Sequence, residues 1–266
     1  MGLKETTADI PSFYDRWTEL FQRGFGPVLQ AGIIRTGDPL REDPEASVRV
    51  LADRAGILDG DRVLDAGCGV AGPATIIARA FAHTRIDAIT NSTVQARIAR
   101  DIVARAELSD RVAIHVGDYE SLPFESSTFD VVCFFESTGY ATDLDRMYSE
   151  AARVLAPGGR LYVKDVFSRS GGLEPDEREQ LRRFDELWGC ARTKGLYESA
   201  EAIASTGLVV QWARVMDDIG TALLAGSMFT MLPDGGLAPT EMGRSFAPRD
   251  LRPPIEFGEI LATRPR

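Results

Sequence analysis

The chain has 266 residues, 44% of them hydrophobic and 26% charged, enough for one large domain or for a domain of about 150–180 residues with a smaller cap. No run approaches the roughly 18–20 apolar residues of a bilayer span, and the opening MGLKETTADIPSFYDRW lacks a positive-then-apolar signal pattern, so a cytoplasmic protein without a membrane partner is expected. A net charge of −10 repels phosphate backbones, which excludes nucleic acid as an expected partner.

Residues 1–44 are rich in aromatics, among them Phe13, Tyr14, Trp17, Phe21 and Phe25, and SFYDRWTELFQRGFG predicts a helix that stops at Gly24 or Gly26. Asp43-Pro44 suits an N-cap followed by proline in the first turn, and it opens a helix over 43–57 with Val48, Val50, Leu51 and Ala55 on its packed side. From residue 61 the pattern alternates. RVLDAG (62–67), RIDAIT (85–90), RVAIHVGD (111–118), VVCFFES (131–137) and RLYVKDVF (160–167) read as five strands. GPATIIARAF (72–81), STVQARIARDIVARAEL (92–108) and LDRMYSEAARVL (144–155) read as helices. The second of these turns Val94, Ile98, Ile102 and Val103 inward, and APGG ends the third. Strands interleaved with helices imply a parallel sheet covered on both faces, an α/β doubly wound fold. Further on, 174–190 and 199–207 read as helices, 208–218 as a sixth strand, 219–232 as a helix, 233–254 as loop, and IEFGEILATRP as a closing strand. This gives a helical cap over 1–44, a core over 45–168, a lid and sixth strand over 169–252, and the final strand over 253–266.

Cys68, Cys133 and Cys190 are odd in number and form no CxxC pair, so free thiols in a reducing compartment are expected. His83 and His115 lie far apart without an acid pattern, so neither a metal site nor a His-based triad is expected. Positive charge is almost all arginine, the lysines being Lys4, Lys164 and Lys194.

The most constrained stretch is VLDAGCGVAGPA, residues 63–74. An apolar strand, a glycine-rich turn and a helix start form a nucleotide-type site, because glycines let a ligand approach the backbone and the helix start offers free N–H groups. Gly67, Gly69 and Gly72 match the spacing of a dinucleotide fingerprint. That spacing by itself leaves a dinucleotide, a phosphate or the carboxylate end of another cofactor open. Two details point away from a dinucleotide. Asp65 sets a carboxylate beside the turn, which suits a cationic group, and the second strand ends in AITNS without an acid for a ribose hydroxyl.

VLDAGCGVAGPA resembles the first motif of class I S-adenosylmethionine-dependent methyltransferases. GDYESLPFESSTFDVV resembles the third-strand acid and the lead-in to strand four, and EAARVLAPGGRLYV the helix, turn and fifth strand of that family. The resemblance covers roughly residues 45–168. It implies a Rossmann-like sheet of seven strands with the last antiparallel, S-adenosylmethionine as cofactor, and methyl transfer to a small molecule. It places the amino-acid end of the cofactor at Asp65, Gly67, Cys68 and Gly69. Thr90, Asn91 and Gln95 stand where most relatives carry a ribose-binding acid, as neutral hydrogen-bonding groups. Asp118 would accept from the adenine amino group, with Tyr119 and Phe135 beside it.

The acceptor is expected at the end of the fourth strand, because ligands bind at the carboxyl ends of sheet strands. Glu136 leaves the apolar run VVCFF there, and an apolar surround would tune it as a base toward neutrality. The wording from Glu136 to Arg160 resembles isoprenoid C-methyltransferases acting on prenyl diphosphates and sterols. The resemblance implies that Glu136 is a base or cation stabiliser, with Tyr140 as a catalytic partner. Tyr14, Trp17, Phe25 and Tyr148 are the candidate aromatics for the acceptor. Arg192 and Arg244 are the candidate cations for a diphosphate, within arginine groups that include Arg182, Arg183, Lys194, Arg249 and Arg252. Mg²⁺ is expected only with a diphosphate substrate, and a homo-oligomer is left open. The alternatives are an O- or N-methyltransferase of a natural product or sugar, a methyltransferase fold that binds cofactor without transferring methyl, and an NAD-dependent oxidoreductase.

Overall fold

The apolar runs at 63–66, 86–90, 129–135 and 161–167 have little polar side to turn toward water, and the computed structural model buries them on both faces of a sheet. It describes residues 13–15, 17–19, 22, 26–28, 44–216, 229–231, 237–239, 251 and 253–266. Strands β1 (Arg62–Ala66), β2 (Arg85–Thr90), β3 (Val112–Val116), β4 (Phe129–Phe135) and β5 (Leu155–Ser168) pair in parallel. β9 (Ile255–Thr263) runs antiparallel to β5, and β6 (Val209–Val215) antiparallel to β9. The order β3-β2-β1-β4-β5-β9-β6 is the expected seven-stranded sheet with its closing strand reversed.

Helices α1 (Pro44–Arg54), α2 (Gly72–Ala80) and α3 (Thr93–Arg105) cover one face, where Leu51, Ile77 and Val103 meet Val63, Ile86 and Tyr162. Helices α4 (Leu144–Val154) and α6 (Leu196–Ser205) cover the other, packing Met147, Tyr148 and Ile203 on Leu64, Ile89 and Phe134. α5 (Pro175–Trp188) lies between β5 and α6 in the chain and buries Phe184. Helices on both faces leave the strand ends as the free edges of the layer, and the carboxyl ends of β1 to β5 carry the site described below.

Two sequence expectations change here. The buried stripe of α3 is Gln95, Ala96, Ala99 and Val103, while Val94, Ile98 and Ile102 are only half-buried. Small residues let the helix axis approach the sheet, so the alanines take the contact line and the larger aliphatics flank it. The helix expected over 219–232 gives way, where described, to strand β7 (Phe229–Met231). It pairs with β8 (Leu237–Pro239), which lies in the expected loop. Phe229 and Thr230 suit an extended chain, and Pro233-Asp234-Gly235-Gly236 is turn chemistry that separates two such runs.

The closing strand is anchored by one buried acid. Glu259 accepts hydrogen bonds from Arg54 of α1 at 3.2 Å, Arg214 of β6 at 2.7 Å and the Tyr162 hydroxyl of β5 at 2.6 Å. It thereby joins three strands and a helix. Removing one member of a buried charge cluster leaves the rest without compensation. Glu259→Ala is expected to cost about 3–5 kcal/mol in urea unfolding, and Glu259→Gln less, since the amide still accepts from an arginine.

Candidate active site

The β1–α2 turn is built by close approach. The amides of Gly67 and Cys68 both donate to the Ile89 carbonyl at 2.9 Å, which ties the turn to the end of β2. Gly67 has φ +83, and a Cβ there would collide with the Ser137 side chain. Only glycine therefore satisfies both the backbone and the space. Ser137 closes the contact from β4: its hydroxyl donates to the Ala66 carbonyl at 2.6 Å, and its own carbonyl accepts from the Tyr119 hydroxyl at 2.9 Å. The ends of β1, β3 and β4 are thus bound to one another around a single side chain.

The cavity this creates has about 950 Å³ of space not filled by protein atoms, counting the part that opens to solvent. It brings together every cofactor residue expected from the sequence. Asp65, Gly67, Cys68 and Gly69 line it from the end of β1 and the turn after it, Thr90 and Asn91 from the end of β2, Gln95 from the first turn of α3, Asp118 and Tyr119 from the turn after β3, and Phe135 from β4. Glu136 and Tyr140 line it beside them. On the remaining side stand Tyr14, Thr18, Gln22 and Gly26, four residues apart along the N-terminal segment, as one face of a helix would present them.

Asp65 is only 2% exposed, and its Oδ2 atom has no hydrogen-bond partner among the described residues. Burial pushes its carboxyl from 3.8 up to about 7. An orphaned carboxylate oxygen beside an open glycine cradle fits a ligand carrying a cationic nitrogen, as the sequence suggested. Thr90 donates to the Gln95 side-chain oxygen at 2.7 Å, so those two orient each other, while Asn91 is exposed to the cavity. Asp118 caps its own turn by accepting from the Glu120 amide at 2.8 Å, yet it is exposed on the cavity side.

Among the described residues, Glu136 is one of four non-glycine residues with positive φ, at 54°. That backbone costs on the order of 1–3 kcal/mol and persists only where surroundings impose it. Here its amide donates to the Lys164 carbonyl at 2.7 Å, and its carboxylate receives the Lys164 ammonium. The apolar surround expected for Glu136 is therefore corrected: the strand before it is apolar, but a buried lysine from β5 faces the carboxylate. Tyr140 ends a short 3-10 turn, Thr138–Tyr140, and accepts a hydrogen bond from the Tyr14 hydroxyl. Burial pushes both phenols up, so neither is an anion at neutral pH.

The acceptor-side expectations divide. Tyr14 is in the cavity wall. Trp17 is half-buried and does not line the cavity. Tyr148 is fully buried in the core between β4 and α6, edge-on to Phe134, because it lies on the sheet-facing side of α4. Arg192 points to the surface, where Glu198 holds it at 3.1 Å. Phe25 and Arg244, with Arg249 and Arg252, lie outside the described residues. Among the described residues the cavity is lined by three acids, Asp65, Asp118 and Glu136, and by no lysine or arginine.

Ser137, Lys164 and Asp165 escaped the sequence reading. Asp165 accepts from the Thr138 amide and hydroxyl, each at 2.7 Å, and holds the turn that carries Tyr140. Burial, with Glu136 adding to it, pushes its carboxyl from 3.8 up to about 6. The signal was present: RLYVKDVF carries two charges inside an apolar strand, at the carboxyl end where sites form.

The chain is similar to known methyltransferases in sequence and to solved structures in fold. Residues 64–163 match the family model described as a methyltransferase domain. A sterol 24-C-methyltransferase of Eremothecium gossypii is 36% identical over 201 residues, covering 75% of this chain and 54% of that protein. The chain thus spans about half the length of that relative. Among solved structures, the [4+2]-cyclase SpnF superposes with a TM-score of 0.76 at 23% identity, covering 98% of this chain and 97% of that one. Geranyl diphosphate C-methyltransferase from Streptomyces coelicolor A3(2) does so with a TM-score of 0.73 at 22% identity, covering 99% and 100%. At that identity the two structures share the fold.

The raised pKa of Asp65 makes a prediction for the ligand-free protein. A carboxyl whose folded pKa lies above its unfolded value contributes stability that is complete below about 4 and lost as pH rises through about 7. Asp165 acts with the same sign, up to about 6. Asp65→Asn is expected to raise Tm at pH 8 and leave only the earlier limb, measured by thermal denaturation from pH 4.5 to 8.

Proposed function

We propose that this protein, whose residues 64–163 match the model of a methyltransferase domain, is a class I S-adenosylmethionine-dependent methyltransferase that methylates a carbon of an isoprenoid-like small molecule, with Glu136 facing the acceptor in the cavity. One observation carries the reading. A single cavity is lined by a buried carboxylate with an unpartnered oxygen beside a glycine turn, and by a second carboxylate fixed in strained backbone.

S-adenosylmethionine, when bound, supplies an electrophilic methyl group. Asp65 and the turn at Gly67 to Gly69 would hold its amino-acid end, Asn91 and Gln95 its ribose, and Asp118 with Tyr119 its adenine. The chain's further task is to place the acceptor and manage charge. An alkene carbon that takes a methyl leaves a positive charge on its neighbour. Glu136 offsets that charge and accepts the proton whose departure restores the alkene, while the Tyr140 and Tyr14 rings offer faces to the cation. The Tyr14 side of the cavity excludes water that would otherwise trap the cation.

The sterol relative and the geranyl diphosphate neighbour differ in acceptor charge. The described lining supports a neutral isoprenoid chain over a diphosphate, because three acids and no described cation face the cavity. On this reading Mg²⁺ has no part. The discriminating assay offers sterols, prenyl alcohols and prenyl diphosphates, with phenols and amines beside them, and reads a mass gain of one methyl.

Two outcomes are expected. Glu136→Gln lowers kcat by roughly 10²–10⁴ and leaves affinity for S-adenosylhomocysteine within about twofold; unchanged turnover removes Glu136 from the mechanism. S-adenosylhomocysteine, whose ammonium needs an ionised Asp65, binds about tenfold more weakly at pH 6 than at pH 8, as calorimetry will read, because a carboxyl near 7 is mostly protonated at the lower pH. Asp65→Asn flattens that dependence and weakens binding at both.

A further inference from the structure

We infer that Lys164 is a positioning residue for this site: it fixes the Glu136 carboxylate at the cavity wall and keeps its charge directed at the acceptor. The inference rests on the role proposed for Glu136 and goes beyond it to the residue that makes the role available.

Lys164 lies on β5 directly opposite Phe135 of β4, one residue before Glu136. It grips Glu136 at two points. The backbone carbonyl of Lys164 accepts from the Glu136 amide, and its ammonium donates to Glu136 Oε1. The lysine side chain is fully buried, whereas the Glu136 side chain is 17% exposed, toward the cavity. The ammonium is therefore behind the carboxylate, on the protein side, and the substrate would meet only the acid.

The other acids near Lys164 are committed elsewhere. Glu259 sits opposite Lys164 in the β5–β9 register, but its oxygens accept from Arg54, Arg214 and Tyr162. Asp165 accepts from Thr138 and from the Val166 amide. The Phe257 ring lies 5.3 Å from the ammonium and offers it a π face. Residue type supports the assignment. In a chain with 30 basic residues, only Lys4, Lys164 and Lys194 are lysine. An arginine fork wants two acceptors in one plane, whereas a slim ammonium can serve a single carboxylate oxygen in a dry site.

The test is a double-mutant cycle of Lys164→Met, Glu136→Gln and both together. Methionine keeps the length of the stem and removes the charge. Expected for Lys164→Met is a loss in kcat of at least about tenfold, with the acceptor KM and S-adenosylhomocysteine affinity within about twofold, since only charge placed for the transition state is lost. The double variant should be no slower than Glu136→Gln alone, because the lysine acts through that acid. Stability supplies a readout that needs no acceptor: Lys164→Met lowers Tm by stranding a carboxylate, and adding Glu136→Gln restores it. Should the single variant fold poorly, that restoration still reads the coupling. Losses that multiply in kcat and add in Tm would overturn the inference. So would wild-type kcat in Lys164→Met beside an impaired Glu136→Gln, and that pattern would leave the proposed function standing. Full turnover in Glu136→Gln would instead sink the role of Glu136, and the assignment of Lys164 with it.

Discussion

Much of this molecule turns on how closely the end of β4 approaches the turn after β1. Gly67 has no side chain, Ser137 fills the space a Cβ would need, and the serine hydroxyl closes on the Ala66 carbonyl. Pulling these two segments together places Asp65 and Glu136 in the walls of one cavity. Tyr119 joins through the Ser137 carbonyl, so the third strand end is held by the same residue. A larger side chain at either position would part the strand ends and shift the glycine turn relative to Glu136.

Among the carboxylates at or below this edge of the sheet, four differ in how far they are matched. Glu259 is matched by two arginines and a phenol and serves the fold. Asp165 takes hydrogen bonds from Thr138 and Val166 and shapes the turn that presents Tyr140. Glu136 faces a buried ammonium. Asp65 keeps one oxygen without a partner among the described residues. A buried carboxylate without a counter-charge is costly in an isolated chain, and it becomes favourable when a cationic ligand arrives. The graded satisfaction of these acids separates scaffold from site: the better matched acid is structural, and the least matched one awaits a ligand.

The same fold is found in a solved [4+2]-cyclase and in a solved geranyl diphosphate C-methyltransferase, so the sheet alone does not decide the reaction. The chemistry rests on local features: an acid in left-handed backbone, backed by one of the chain's few lysines, in a cavity whose described lining carries no lysine or arginine. These features suit a neutral acceptor on which positive charge develops, and they oppose an acceptor that is already an anion.

The alternation of apolar strands with helices, the glycine turn and the closing strand were legible in the sequence because each rests on local chemistry: burial periodicity, positive φ, and turn residues. The residues that line the cavity from the strand ends were legible for the same reason, since they follow the strands in chain order. What one chain position cannot report is its neighbour across the sheet. Lys164 meets Glu136 only because β4 and β5 pair in register, and Tyr148 faces the core because of how α4 turns on the sheet. Arg192 likewise looks like a substrate cation until Glu198 is seen beside it. Local pattern set the elements and the turn; long-range pairing decided which charges face the cavity, because electrostatic partners are fixed by distance in space and not along the chain.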